Sequence, residues 1–127
     1  QDPEVLNGLG YFHYSRAQWE DAERYLRQAI AADPKFQRAW VNLGMTLCQQ
    51  QHYDEGLAAF SKAVSNAEAH SNVAFILTTQ GRFNDARAEY RQALAANSNL
   101  TIARLALAKL ERQEMQASGS GAGAMPR

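Results

Sequence analysis

The fold is decided by the stretch AWVNLG at residues 39–44 and by the YDEG that follows at residues 53–56. An earlier copy of this pattern has LG at residues 9–10 and WEDA at 19–22, and a later copy has GRFNDA at 81–86. Aligned on their aromatic residues, the copies recur after 34 and then 30 residues. A period in this range is typical of stacked supersecondary units, which present surfaces to partners.

The spacing of apolar residues predicts helices in antiparallel pairs along most of the chain. First helices are predicted over residues 4–16, 37–50 and 67–80, their partners over 20–32, 54–65 and 84–96, and a seventh helix over 101–116. Asp33-Pro34 ends a helix, because proline cannot continue the hydrogen-bond ladder. We therefore predict an all-α fold, an α-solenoid of about seven helices.

Small residues recur at equivalent places inside each predicted pair, as Gly10, Gly44 and Ala74 in the first helices and as Ala22, Gly56 and Ala86 in the second. Such notches allow two helices to approach to about 8–10 Å between axes. The aromatic residues Trp19, Tyr53 and Phe83 are expected to fill the corner of each pair. Leu26, Phe60 and Tyr90 are expected to face the next repeat.

This pattern resembles the tetratricopeptide repeat family over residues 3–100. The resemblance implies three repeats, over residues 3–36, 37–66 and 67–100, stacked in a right-handed superhelix. It also implies that residues 101–116 form the solvating helix that the family places after its last repeat, so that residues 1–116 make one domain. Two departures affect this expectation. Gly56 replaces the usual alanine, which lowers helix propensity by about 1 kcal/mol, and the second repeat is four residues short.

The segment 117–127 is rich in glycine, serine and alanine. This composition is typical of flexible linkers. We therefore predict a flexible tail over residues 117–127.

Composition excludes several classes of protein. The 127 residues include 13 basic and 13 acidic side chains, so net charge gives no reason to expect nucleic acid or an anionic membrane as partner. The single Cys48 excludes an intrachain disulfide and a multi-cysteine zinc site. No apolar run is long enough to span a bilayer. The compartment stays open, either cytoplasmic or, if a signal has been trimmed before Gln1, periplasmic or envelope-associated.

The candidates for chemistry are three histidines and two carboxylate pairs. His13, His52 and His70 have no second histidine three or four residues away, as a helical metal site would. The pairs at residues 20–21 and 54–55 begin second helices, where backbone amides favour negative charge. No glycine-rich phosphate loop is present. We therefore predict no enzyme, no catalytic residue, no metal site and no cofactor.

The resemblance implies that the first helices line a concave groove, and this groove is the predicted binding site. In family members that bind extended peptides, asparagines at the places of Asn42 and Asn72 bond the ligand main chain. Bonding to neighbouring helices is the alternative role for these amides, and inter-repeat packing is the alternative for the apolar lining. The predicted partner-binding residues are Asn7, Tyr11, Tyr14, Arg38, Val41, Asn42, Met45, Gln49, Asn72, Phe75 and Thr79.

Two functions compete at this point. The leading hypothesis is a non-enzymatic protein-interaction module that binds a peptide or helix of a partner protein in the groove. The alternative is a scaffold that self-associates or joins a larger complex, such as a bacterial envelope or pilus-assembly system.

One subset of the family clamps the carboxy terminus of chaperones with lysines and an arginine. The matching places here hold Asn7, Glu68 and Asn72. Because these residues cannot neutralise two carboxylates, we expect no binding of chaperone tails.

Overall fold

A computed structural model describes residues 1–123, and their side chains through residue 119. This part of the chain forms seven α-helices and no strand, which confirms the predicted all-α solenoid. The helices are α1 (Pro3–Ser15), α2 (Trp19–Ala32), α3 (Gln37–Gln49), α4 (Tyr53–Ser61), α5 (Asn66–Thr79), α6 (Phe83–Ala96) and α7 (Thr101–Gly123). No helix within the described range has the length and hydropathy needed to cross a membrane.

The helices stack in chain order, and each one contacts the next. In addition, α1 contacts α3 and α3 contacts α5. The three first helices therefore lie side by side and share one face of the molecule. We call the face formed by α1, α3 and α5 the groove face.

Two side chains fill the glycine notches. A Cβ atom added to Gly10 would lie 2.5 Å from Cγ of Leu26, and one added to Gly44 would lie 2.7 Å from Cδ1 of Phe60. Both Leu26 and Phe60 are fully buried. The glycines are therefore sites of close helix approach, as predicted. Leu26 and Phe60 fill the notches of their own repeats. The sequence analysis predicted only that these side chains face the next repeat.

The corner aromatics differ from one repeat to the next. Trp19 packs 5.1 Å from the ring of Tyr14, and the ring of Tyr53 lies 5.4 Å below the guanidinium of Arg82. Phe83 is 47% exposed, so the expectation that it fills a corner is wrong.

The short second repeat loses its residues from the end of α4, which has nine residues where α2 and α6 have fourteen. The turn that follows is closed by a capping box at the start of α5. Ser65 Oγ accepts from the Glu68 backbone amide at 3.1 Å, and Glu68 Oε1 accepts from the Ser65 amide at 3.2 Å. Two of the free amides at this end of α5 are thereby satisfied without an Asp-Pro turn.

The last helix, α7, is joined to α6 by two ion pairs. Arg87 Nη2 lies 3.2 Å from Glu114 Oε2, and Arg91 Nη2 lies 3.1 Å from Glu111 Oε2. The helix continues to Gly123, seven residues beyond the predicted end at 116. Residues 117–123 of the predicted flexible tail are therefore helical, and residues 124–127 lie outside the described part of the chain.

Cys48 is enclosed in the largest core cluster and has no exposed surface. Burial raises the pKa of its thiol to about 12, with a smaller contribution from the negative charge of Glu89. Because the thiolate is the reactive form, we expect the native protein to resist Ellman's reagent at mildly alkaline pH and to react only as it unfolds. A Ser61→Cys variant in a Cys48→Ala background places the thiol on the surface and should react at once. Equal rates for the two folded proteins would contradict the prediction.

Candidate binding groove

A cavity of about 540 Å³ opens on the groove face between α1 and α3. Five of the predicted binding residues line it, Asn7, Tyr11, Arg38, Val41 and Asn42. The other four lining residues were not predicted from the sequence, and these are Gly8, Gln37, Ala63 and Val64. Val64 belongs to the turn after α4. Its position depends on where the short helix ends, and residue spacing alone did not reveal this.

An amide pair lies at the floor of this cavity. Asn42 Nδ2 donates a hydrogen bond of 2.9 Å to Asn7 Oδ1, and Asn7 is buried. This hydrogen bond joins two neighbouring helices, which is the alternative role predicted for these amides, and it uses Nδ2 of Asn42. In the described part of the chain Oδ1 of the Asn42 side chain accepts no hydrogen bond, and the half-buried Asn72 side chain makes none.

Tyr14 and Gln49 belong to a polar network that crosses the three first helices. Gln49 Nε2 donates to the Tyr14 phenol at 3.1 Å, and Gln80 Nε2 donates to the Cys48 carbonyl at 3.1 Å. Burial raises the pKa of the Tyr14 phenol, against the opposing effect of its hydrogen bond with Gln49. The network holds Tyr14 and Gln49 against neighbouring helices. Their polar groups therefore bond within the protein and help to fix the helices of the groove face.

The apolar side chains of the groove face differ in exposure. Tyr11 is 54% exposed and Phe75 is 60% exposed, which leaves both rings accessible to a ligand. Val41 and Met45 are half-buried and pack against the main core cluster, so the packing role foreseen as an alternative applies to part of their surface.

Arg38 and Thr79 lie nearer the edges and are both exposed. Arg38 Nη2 donates to Glu4 Oε1 at 2.9 Å, and its guanidinium lies 5.1 Å from the centre of the Phe36 ring. Thr79 Oγ1 donates to the Ile76 carbonyl at 2.7 Å. The charge of Arg38 is therefore already balanced by a carboxylate of α1.

A second, more enclosed cavity of about 300 Å³ lies where α5, α6 and α7 meet. Its lining is mainly apolar and includes Phe75, Thr78, Phe83, Tyr90, Lys109 and Leu110. Sequence reasoning treated α7 only as a cover and so missed this site. A signal was available, because Lys109 follows Phe75 by 34 residues, the same interval that separates the first two repeats.

His70 lies beside a carboxylate of the neighbouring helix. Its Nδ1 lies 2.8 Å from Glu89 Oε1, and the His70 side chain is 16% exposed. The two residues are 19 positions apart on α5 and α6, so motif spacing could not pair them. Within residues whose side chains are described, no group of three or more histidine, cysteine or acidic residues is arranged to hold a metal ion.

The paired helices, their glycine notches and the shared face of first helices define a helical-repeat protein with a surface groove. Residues 4–72 match a family model described as tetratricopeptide repeat, and residues 67–100 match a second model with the same description. The chain belongs to the tetratricopeptide repeat family, as its sequence pattern predicted.

Solved structures agree on the fold at low sequence identity. The TPR domain of Arabidopsis OM64 superposes with a TM-score of 0.60 at 19% identity, over 87% of this chain and 94% of that one. The second TPR domain of human RPAP3, in complex with the HSP70 peptide SGPTIEEVD, gives 0.56 at 20% identity, over 86% and 98%. The Yersinia enterocolitica type III secretion chaperone SycD, in complex with a peptide of the translocator YopD, gives 0.59 at 18%, over 87% and 93%.

Proposed function

We propose that this protein is a non-enzymatic interaction module that binds a peptide or helical segment of a partner protein on the groove face. The main support is the cavity of about 540 Å³ between α1 and α3. Its volume lies in the range of about 300–1,000 Å³ that is usual for ligand sites. There the exposed ring of Tyr11 and the half-buried Val41 lie beside the amide of Asn42.

The lining suits a peptide because it combines two kinds of group. Apolar surface from Tyr11, Val41 and Phe75 can bury ligand side chains. The amides of Asn42 and Asn72 can bond a ligand backbone, whose N–H and C=O groups need partners when they lose water. The human RPAP3 domain and Yersinia SycD are each solved in complex with a peptide, which supports the same class of ligand here.

The test uses a peptide selected on the wild-type protein from a random phage library, with affinity measured by fluorescence anisotropy. Asn72→Ala should weaken binding by about three- to tenfold, because one net hydrogen bond contributes about 0.5–1.5 kcal/mol. Asn42→Ala combined with Asn72→Ala should weaken it further. Gln92→Ala, an exposed amide on α6, is the matched control and should leave the affinity unchanged. Unchanged affinity in the double variant, with wild-type helicity, would contradict the proposal.

An acidic chaperone-tail peptide tests whether the groove face binds the terminal carboxylates of a ligand. The terminal carboxylates of SGPTIEEVD should add little to its binding, since the Glu68 carboxylate lies in the α5 capping box and Arg38 is already paired with Glu4. Glu68 is itself an anion and the charge of Arg38 is paired, so these two residues cannot neutralise two terminal carboxylates of a ligand. Tight binding that is lost when the carboxy terminus of the peptide is amidated would contradict this expectation.

Self-assembly is a second candidate, supported by one exposed stripe on α1. Val5, Leu9 and Phe12 lie on one side of the helix, away from the buried Leu6 and Gly10. Exposed apolar patches of this kind favour association. A light-scattering mass that rises with concentration, and that returns to the monomer mass in a Val5→Ser, Phe12→Ser variant, would support the scaffold function. A constant monomer mass would exclude self-association through this stripe.

A further inference from the structure

We propose that the groove continues past the third repeat onto α7, where the second cavity binds one large apolar side chain from an acidic segment of the partner. This inference rests on the proposed function, since it specifies what the same groove holds at its C-terminal end. The partner segment is therefore defined by an apolar residue next to an aspartate or glutamate.

The shape of the cavity supports a single apolar side chain. The exposed rings of Phe75 and Phe83 stand at its sides, and the buried Tyr90 and Leu110 close it from within. At about 300 Å³ the cavity is at the lower limit for small-molecule sites, and it is large enough for a leucine, methionine or phenylalanine side chain. Phe75 and Phe83 together expose apolar surface that a ligand side chain would remove from water.

The repeat register places α7 in line with the groove helices. Tyr11, Met45, Phe75 and Lys109 follow one another at intervals of 34, 30 and 34 residues. At the same interval, Ala106 of α7 follows Asn72. The series of backbone-bonding amides therefore ends at Asn72, and the next position is an alanine that lines the apolar cavity. At this position the contact with the ligand changes from hydrogen bonds with its main chain to burial of one of its side chains.

Charge identifies the neighbour of that side chain. Lys109 is the charged residue of the cavity lining, and among the described residues it takes part in no ion pair. The adjacent charges are balanced, since Arg87 pairs with Glu114 and Arg91 pairs with Glu111. The rim thus has a local positive charge that favours a ligand carboxylate and disfavours a basic residue.

The experiment compares phage selections from one random peptide library on the wild type and on Lys109→Glu. Peptides selected on the wild type should have leucine, isoleucine, methionine or phenylalanine beside aspartate or glutamate. Peptides selected on Lys109→Glu should keep the apolar residue and replace its acidic neighbour with lysine or arginine. The synthetic wild-type peptide should bind Lys109→Glu about two- to fivefold more weakly, as expected for an exposed charge pair.

Two further variants test the cavity itself. Ala106→Phe fills the cavity and should lower the affinity for the selected peptide about tenfold or more. Phe75→Ala opens its wall and changes only an exposed side chain, so it keeps the test valid if Ala106→Phe disturbs packing. Ile102→Ser is the control and should bind like the wild type, because Ile102 is an even more exposed apolar residue of α7 and lies outside the cavity.

The outcomes separate this inference from the proposed function. Peptides that lack the apolar–acidic pair, or that bind Ala106→Phe and Phe75→Ala as tightly as the wild type, would overturn the inference. If those same peptides still require Asn42 and Asn72, the proposed function stands without it. Peptides that require the cavity but not the two asparagines would support the inference and overturn backbone binding by the amides.

Discussion

Phe60→Ala is expected to lower the free energy of unfolding by about 3–5 kcal/mol, the largest effect that we expect from one substitution. The ring is fully buried and lies against the notch at Gly44. It also belongs to the core cluster that includes Ala69 and Val73 of the next repeat. Because α4 has only nine residues, few other side chains can close the cavity that the truncation leaves.

Urea denaturation followed by circular dichroism measures this effect. Phe75→Ala removes the same ring from an exposed position on α5 and should stay within about 0.5 kcal/mol of the wild type. Similar losses for the two variants would show that Phe60 does not join the second and third repeats as described.

Gly56→Ala is expected to destabilise the protein by about 1–2 kcal/mol, although alanine is the better helix former. Propensity alone predicts a gain of about 1 kcal/mol. An added Cβ would collide with Sγ of the buried Cys48 and would lie 3.0 Å from the Gly44 carbonyl oxygen. Overpacking of this kind costs about 1–3 kcal/mol. Close packing therefore explains the glycine that departs from the family pattern.

A double-mutant cycle tests the contact with sulfur. In a Cys48→Ala background the collision with Sγ is absent, so Gly56→Ala should cost at least about 1 kcal/mol less than in the wild type. Gly8→Ala is the matched control, since an added Cβ there meets nothing within 4 Å, and it should stabilise the protein by up to about 1 kcal/mol. A gain for Gly56→Ala equal to that of Gly8→Ala would remove the steric explanation.

These packing features bear on the proposed function because they hold the helices of the groove face in place. Residues that point into the groove are positioned by helices that pack through Gly10, Gly44 and Gly56. A binding surface built on helices needs little ordering when a ligand arrives, which favours affinity. Substitutions at the notches should therefore weaken binding as well as stability.

Several features that bear on binding were not visible in the sequence. The contact of Asn42 with Asn7 and the pair of His70 with Glu89 join residues 35 and 19 positions apart on separate helices. The exposure of Phe83 depends on which side chains of neighbouring helices cover its ring. Residue spacing predicts which side chains share one helix face, but it does not predict which side chains of two helices contact each other.

The seven helices, their pairing and the family were predictable from residue order, because apolar periodicity, turn residues and recurring small residues are local signals along the chain. Residue order did not predict that Leu26 and Phe60 occupy the notches, that Val64 lines the first cavity, or that α7 completes a second one. Those outcomes depend on side-chain packing between separate helices. Such packing is set by shape and burial across the stacked repeats and has no counterpart in the order of neighbouring residues.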